Sequence, residues 1–229
     1  MGERLLLWDI DGTLVRAGDL GAAVFDTALE AVLGAAPVER VAMSGKTDPQ
    51  IVGEYLTLME VDDPSTLPAV LAELERELFA RRDELRAVGT VLPGVAALLA
   101  RLAEAPSVHQ SVLTGNIAPN ALVKLAAFGL DRYLDLEAGA YGSDHADRRK
   151  LVPIALRRQR DLRQRDLSPA DVWVIGDTPN DLACARAGGA RCLLVATGRY
   201  GLDDLRALAP DAVAPDCGDL ERLVALLSS

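Results

Sequence analysis

Residues 5–15 read LLLWDIDGTLV, a short apolar run that stops at two aspartates and a Gly-Thr turn. A short apolar run with polar residues at its end predicts a buried parallel strand, here Arg4–Trp8. Asp9 and Asp11 follow this strand directly, so two like charges repel each other, and each loses water if the site is shielded. A metal ion beside them would explain the pair. A structural role would instead require nearby cations or capped amides.

Other apolar segments end in the same way, and helical patterns separate them. The further predicted strands are Val108–Leu113, Asp171–Ile175, Arg191–Val195 and, more weakly, Asp211–Ala214. The helices predicted between and after them are Pro93–Ala105, Ala118–Phe128, Leu151–Arg163, Pro179–Ala187 and Asp219–Leu227. This alternation predicts an α/β fold, a Rossmann-like parallel sheet core with helices on both faces.

One region interrupts the alternation, because residues 18–88 contain no convincing strand. Helical patterns cover Asp19–Leu33, Asp48–Met59 and Leu67–Ala87, with Asp48 as the expected N-cap of the second. An all-helical insert directly after the first strand predicts a separate cap over the sheet. The expected domains are therefore a core of residues 1–15 and 90–229 and a helical cap of residues 16–89.

Composition narrows the range of partners. The chain has 229 residues, a formal net charge of −10 and a sequence pI near 4.7, which argues against nucleic-acid or anionic-membrane binding. Its three cysteines are scattered and predict neither a disulfide framework nor a zinc site. The apolar runs are shorter than the roughly 20 residues that span a bilayer. We therefore expect a cytoplasmic protein, either monomer or dimer.

Three polar segments leave the carboxyl ends of predicted strands, where parallel α/β sheets bind ligands. They are residues 9–13, 114–116 and 176–181, and four of their members are aspartates: Asp9, Asp11, Asp177 and Asp181. Four carboxylates around one point require a cation. Their hard oxygens suit Mg²⁺, which usually takes only one or two carboxylates together with waters and a substrate phosphate. The Thr114 hydroxyl and the amides that follow it add donors for a phosphate.

An aspartate at such a site is able to attack phosphorus and form an aspartyl-phosphate. A neighbour two residues further on is placed to protonate the leaving oxygen and later to activate water.

The motifs DIDGTLV, LTGN and GDTPND, in this order and each at a strand end, resemble the haloacid dehalogenase-like (HAD) superfamily of phosphohydrolases. The helical insert resembles the small cap of its phosphoglycolate-phosphatase-like branch. The resemblance implies a Mg²⁺-dependent phosphatase acting on a small phosphorylated metabolite.

The resemblance also assigns roles to residues. Asp9 would be the nucleophile and a metal ligand, and Asp11 the general acid/base with its backbone carbonyl on the metal. Thr114 would hold the phosphoryl oxygens with the amides of Gly115 and Asn116. Asp177 would complete the protein ligands to Mg²⁺, and Asp181 would support the metal shell or bind the metal directly.

Two basic residues receive further roles. The family places a phosphate-site cation, usually Lys followed by Pro, before the third helix, where this chain reads DRRKLVPIA. Lys150, three residues before Pro153, is the predicted cation, although Arg148 or Arg149 would also supply the charge. Lys46, in the loop before the second cap helix, either belongs to a simple turn or touches an anionic leaving group as a specificity residue.

Four alternatives stand beside the phosphatase. A phosphomutase would use Asp9 and Asp11 in the same way but return the phosphoryl group to a sugar. A dehalogenase lacks the second aspartate, so Asp11 argues against it. A phosphonatase would require a cap lysine that forms a Schiff base, for which Lys46 is the only candidate. A non-catalytic binding protein that retains the fold has no need of both a nucleophile and an acid/base.

Overall fold

The computed structural model describes residues 2–229 and contains an α/β core. The strands, in chain order, are β1 (Arg4–Trp8), β2 (Val15–Arg16), β3 (Thr90–Val91), β4 (Val108–Leu113), β5 (Asp135–Ala140), β6 (Val172–Gly176), β7 (Arg191–Val195) and β8 (Ala212–Ala214). The helices are α1 (Leu20–Leu33), α2 (Asp48–Leu58), α3 (Thr66–Ala80), α4 (Arg82–Val88), α5 (Val95–Ala103), α6 (Ala118–Ala127), α7 (Leu151–Arg163), α8 (Pro179–Gly188), α9 (Leu202–Ala207) and α10 (Leu220–Leu227).

Six strands form one sheet in the order β5-β4-β1-β6-β7-β8, and every neighbouring pair is parallel. The chain first adds strands on one side of β1 and then crosses to the other side. This reversal places the carboxyl ends of β4, β1 and β6 side by side, which is where doubly wound sheets bind ligands.

The sheet is covered on both faces, which explains the apolar run that opens the chain. In β1, Leu6 and Trp8 pack into one hydrophobic cluster together with side chains of α5, α6 and α10. Leu5 and Leu7 point to the opposite face and pack with α7, α8 and α9. The predicted parallel sheet with helices on both faces is confirmed.

Between β2 and β3 the chain forms α1 to α4, and these helices build a third hydrophobic cluster. Leu29, Val52, Leu74 and Leu85 are fully buried in it. The two short strands on either side pair antiparallel, Val15 with Val91. Within the described chain, residues 17–89 contain no strand.

The predicted helix Leu67–Ala87 is wrong in one respect, because the structure divides it into α3 and α4 at Arg81. The buried stripe of α3 runs through Val70, Leu74 and Leu78. The next residues on this face of the helix would be Arg81 and Arg82, whose charged side chains do not pack into an apolar core. The break lets the chain turn so that Leu85 packs inside.

Four elements are absent from the sequence prediction: β5, α9 and the paired strands β2 and β3. The strand β5 reads DLEAGA, without the β-branched and aromatic residues that usually mark a strand. It pairs only with β4, at an edge of the sheet. The helix α9 is six residues long and β2 and β3 two residues each, too short for a periodic pattern.

The predicted N-cap Asp48 is also wrong. The N-cap of α2 is Thr47, whose side chain accepts a hydrogen bond from the Gln50 amide at 3.2 Å and donates one to the Ala146 carbonyl at 2.7 Å. The Asp48 carboxylate instead accepts a hydrogen bond from the Ile117 amide at 2.8 Å. Both residues therefore tie the helical segment to the core. Among residues 2–229 no helix has the length and apolar character needed to cross a membrane.

Candidate active site

Three neighbouring strands bring the predicted motifs to one edge of the sheet. Asp9 follows β1, and its amide donates to the Ile175 carbonyl of β6 at 2.9 Å. Thr114 follows β4, and its amide donates to the Ala140 carbonyl of β5 at 3.0 Å. Asp177 follows β6. Backbone bonds to the neighbouring strand therefore fix the positions from which the Asp9 and Thr114 side chains project.

The turn after Asp9 is tight and lies against Asp177. The Ile10 carbonyl accepts hydrogen bonds from the amides of Leu14 and Val15 at 2.9 and 3.0 Å. Gly12 adopts a φ of +84°, and a Cβ at this position would lie 2.5 Å from Asp177 Oδ2. Only glycine satisfies both requirements, so the DxDG spacing brings the first motif into contact with the third.

Three buried carboxylates form a cluster at this edge. Oxygens of Asp9, Asp177 and Asp181 all lie within 4.8 Å of one another. Asp181 is fully buried, and its Oδ2 accepts hydrogen bonds from the Thr178 amide and hydroxyl at 3.0 and 2.7 Å. Its Oδ1 pairs with Arg148. Both oxygens of Asp181 already have protein partners, which suits a supporting role.

The electrostatics of the other two carboxylates call for a cation. Burial raises the pKa of Asp177 to about 8, and the neighbouring charges of Asp181 and Asp9 add to the increase. Burial also raises the pKa of Asp9 to about 6, although Arg148 opposes this. A divalent cation would remove the repulsion, and two carboxylates that leave room for waters and a substrate phosphate are the kind of oxygen ligands that Mg²⁺ takes. The residues present therefore fit the metal that the family resemblance implies.

The buried cation of the site is Arg148, whereas Lys150 is exposed. Arg148 is 5% exposed, and its Nη2 lies 3.1 Å from Asp9 Oδ1. Burial lowers the pKa of its guanidinium, but Asp181 and Asp9 outweigh this and raise it above its usual range. The structure thus places the predicted cation Lys150 at the surface and Arg148, one of the alternatives, beside Asp9. The reason is that Arg148–Lys150 form a 3₁₀ turn, whose successive residues project in different directions.

Asp11 lies outside the carboxylate cluster and pairs with a lysine that the sequence analysis missed. Lys124 Nζ lies 2.8 and 2.6 Å from the two Asp11 oxygens and 2.7 Å from Asn116 Oδ1. The Asn116 amide group also donates to Asp11 Oδ2 at 2.7 Å. One available signal was the spacing of Asn120 and Lys124, which places two polar side chains on one face of α6, directly after the Asn116 segment.

The predicted phosphate-binding segment is compact. Thr114 is fully buried, and its hydroxyl oxygen accepts hydrogen bonds from the amide and side chain of Asn116 at 3.3 and 2.8 Å. The Gly115 carbonyl accepts a hydrogen bond from the Asp48 amide at 2.7 Å. A Cβ on Gly115 would lie 2.0 Å from the Lys46 carbonyl, so the loop before α2 rests directly on this segment.

A cavity of about 540 Å³ lies between this edge and the helical segment. Its core wall includes Asp9, Asp11, Thr114, Arg148 and Asp177. Lys46 also lines the cavity, where it forms an ion pair with Glu54. The structure therefore collects around one cavity every predicted site residue except Lys150 and the supporting Asp181. The individual roles of these residues stay predictions.

Known proteins are similar to this chain in sequence and in fold. A family model described as haloacid dehalogenase-like hydrolase matches residues 6–186. The phosphoglycolate phosphatase of Photorhabdus laumondii subsp. laumondii is 29% identical, covering 99% of this chain and 94% of that protein. A plasmid phosphoglycolate phosphatase of Cupriavidus necator is 32% identical, and the match covers 97% of this chain and 92% of that protein. The crystal structure of CbbY from Rhodobacter sphaeroides in complex with phosphate has a similar fold, with a TM-score of 0.70 and 21% identity over 95% of this chain and 96% of that one.

Two methionine substitutions test the assignment of the buried cation. Arg148→Met leaves Asp9 and Asp181 buried without their partner, so we expect the free energy of unfolding to fall by about 3–5 kcal/mol. Lys150→Met removes an exposed charge and should change it by less than about 0.5 kcal/mol. Urea denaturation of both variants in the same buffer measures the difference. Equal losses in the two variants would contradict the assignment.

The buried carboxylate of Asp48 predicts a pH-dependent stability difference. Burial raises its pKa from 3.8 to about 6. Between these values the folded protein holds a proton that the unfolded chain has released, so this group lowers the free energy of unfolding as the pH rises. Asp48→Asn lacks this effect. The stability of the variant relative to wild type should therefore increase by about 2 kcal/mol between pH 4 and pH 7. Denaturant curves across this range test it, and a difference independent of pH would contradict the proposed burial effect.

Proposed function

Because the chain belongs to the haloacid dehalogenase-like hydrolase family, we propose that it is a Mg²⁺-dependent phosphatase that hydrolyses a small organic phosphate monoester through an aspartyl-phosphate on Asp9. The enzyme class, a phosphoric monoester hydrolase, follows from the family and from the phosphatases that match nearly the whole chain. The observation that carries the mechanism is the position of Asp9. It is buried at a strand end, next to Arg148 and within reach of Asp177.

In the proposed first step, an Asp9 oxygen attacks phosphorus and the bond to the ester oxygen breaks. The ladder bond from the Asp9 amide to Ile175 and the contact with Arg148 hold the attacking carboxylate in place. The positive charge of Arg148 also favours the ionised form of Asp9 despite its burial. A nucleophile that is fixed before the substrate arrives loses little entropy on reaction.

Asp11 would donate a proton to the leaving oxygen and later take one from the water that hydrolyses the aspartyl-phosphate. Its side chain is 45% exposed and so is open to the cavity. Lys124 and the Asn116 side chain both contact this carboxylate and hold it in place. We therefore propose Lys124 as the residue that positions Asp11 for the second step.

The metal site would be built from the carboxylates of Asp9 and Asp177, with Asp181 in support and the backbone carbonyl of Asp11 as a further ligand. Bound Mg²⁺ would neutralise these groups and stabilise the charge on the phosphoryl oxygens. Thr13 donates to Asp177 Oδ1 at 3.2 Å and thereby leaves Oδ2 for other partners.

Thr114 and the amides of Gly115 and Asn116 would receive the phosphoryl oxygens, together with Arg148 in place of Lys150.

We further propose that residues 16–89 act as a cap. The β2/β3 pair joins the two ends of this segment to the core, and the loop before α2 touches Gly115 at the phosphate-binding segment. Closure of the cap would exclude water while Asp9 reacts.

The relatives support hydrolysis over phosphoryl return to a sugar, since the matching curated proteins are named as phosphatases. The ion pair of Lys46 with Glu54 gives no support to a Schiff-base role. Asp11 is present, which does not suit a dehalogenase.

Hydrolysis of p-nitrophenyl phosphate tests the proposed function. We expect turnover that requires Mg²⁺ and falls by at least about a thousandfold in Asp9→Asn, because the variant lacks the nucleophile. Asp203→Asn, an exposed aspartate on α9, is the matched control and should keep wild-type activity. Activity that survives Asp9→Asn would refute the assigned nucleophile, and activity unchanged by a chelator would refute the metal requirement.

A further inference from the structure

The wall that the helical segment contributes to the cavity is predominantly apolar. Val24, Phe25, Met43, Ile51 and Leu78 line it, and small residues fill the space between them. Apolar walls favour apolar ligand groups, because their contact removes both surfaces from water. The volume of about 540 Å³ is much larger than a phosphoryl group alone requires.

Three of the positively charged side chains that line the cavity are already paired with acidic side chains of the protein. Lys46, in the apolar wall, is paired with Glu54, and Glu54 also accepts a hydrogen bond from Gln50 at 3.1 Å. Lys124 contacts both oxygens of Asp11, and Arg148 contacts Asp9 and Asp181.

The remaining two cations that line the cavity, Arg16 and Arg199, are exposed. Arg16 donates to the Thr197 carbonyl, and Arg199 lies in the loop after β7. Water and salt screen charges at such positions, so they attract an anion only weakly.

A buried negative charge lies in the same part of the cavity. Asp48 is 6% exposed and lines the cavity from the start of α2. Its hydrogen-bond donor is the neutral Ile117 amide, and the Lys124 charge that also favours its ionised form is already paired with Asp11. A second anionic group on the substrate would lie close to this buried carboxylate, and the two like charges would repel each other.

From this arrangement we infer that the organic part of the ester is uncharged and largely apolar, and that the site disfavours esters whose leaving group carries a carboxylate or a second phosphate. The inference rests on the proposed phosphatase function and specifies its substrate class. The inferred substrate class differs from that of the relatives named as phosphoglycolate phosphatases, because the organic part of phosphoglycolate carries a carboxylate.

Two matched pairs of esters test the inference. Phenyl phosphate is compared with 4-carboxyphenyl phosphate, and 2-hydroxyethyl phosphate with 2-phosphoglycolate, by phosphate release with Mg²⁺ present. We expect kcat/KM to be at least tenfold higher for the neutral member of each pair. In the aryl pair the carboxylate makes the phenol a slightly better leaving group, so intrinsic reactivity works against this result.

The variant Glu54→Gln provides an internal check, because it keeps the size of the side chain and frees the charge of Lys46. It should raise kcat/KM for 4-carboxyphenyl phosphate about threefold and leave kcat/KM for phenyl phosphate nearly unchanged.

Equal or better turnover of the carboxylate esters by wild type would overturn the inference and leave the phosphatase function intact. The same holds for a selectivity that Glu54→Gln does not change. Failure to hydrolyse any of these esters or p-nitrophenyl phosphate would overturn the proposed function itself, and the inference with it.

Discussion

The repulsion among three buried carboxylates is the constraint on which the rest of this site depends. Asp9, Asp177 and Asp181 lie at the ends of neighbouring elements, with oxygens no more than 4.8 Å apart. Such a group is costly unless cations compensate it. The chain supplies one cation, Arg148, which contacts Asp9 and Asp181. Asp177 has only the Thr13 hydroxyl on one oxygen, so the demand for a further positive charge is concentrated there.

The same constraint explains features that lie further from the cluster. Asp181 is held by the capping box that begins α8, so its place depends on the start of a helix. Arg148 is held by a 3₁₀ turn before α7. Asp11, directed out of the cluster, requires its own partner and finds it in Lys124 on α6. The geometry of the site thus extends into elements on both faces of the sheet.

The features predictable from the sequence are those set by local pattern. The run before Asp9 identifies β1, and the motifs after β4 and β6 identify the edge where ligands would bind. The buried cation was not predictable, because Arg148, Arg149 and Lys150 are adjacent and only the direction of each side chain separates them. Lys124 was missed for a similar reason, since its partner Asp11 is 113 residues away in the chain. The predicted N-cap of α2 was wrong by one residue because Thr47 and Asp48 are both good N-cap residues. Contacts with the core decide between them.

The central claim is that Asp9 carries the phosphoryl group, and trapping this intermediate tests it most directly. Asp11→Asn should slow the second step, so the variant is mixed with p-nitrophenyl phosphate and Mg²⁺, quenched in acid and treated with borohydride, which reduces an acyl phosphate to an alcohol. Peptide mass spectrometry then reads position 9. The account predicts homoserine at position 9 in the treated sample and aspartate in a control without substrate. Release of p-nitrophenol with Asp9 unmodified and another residue reduced would contradict it.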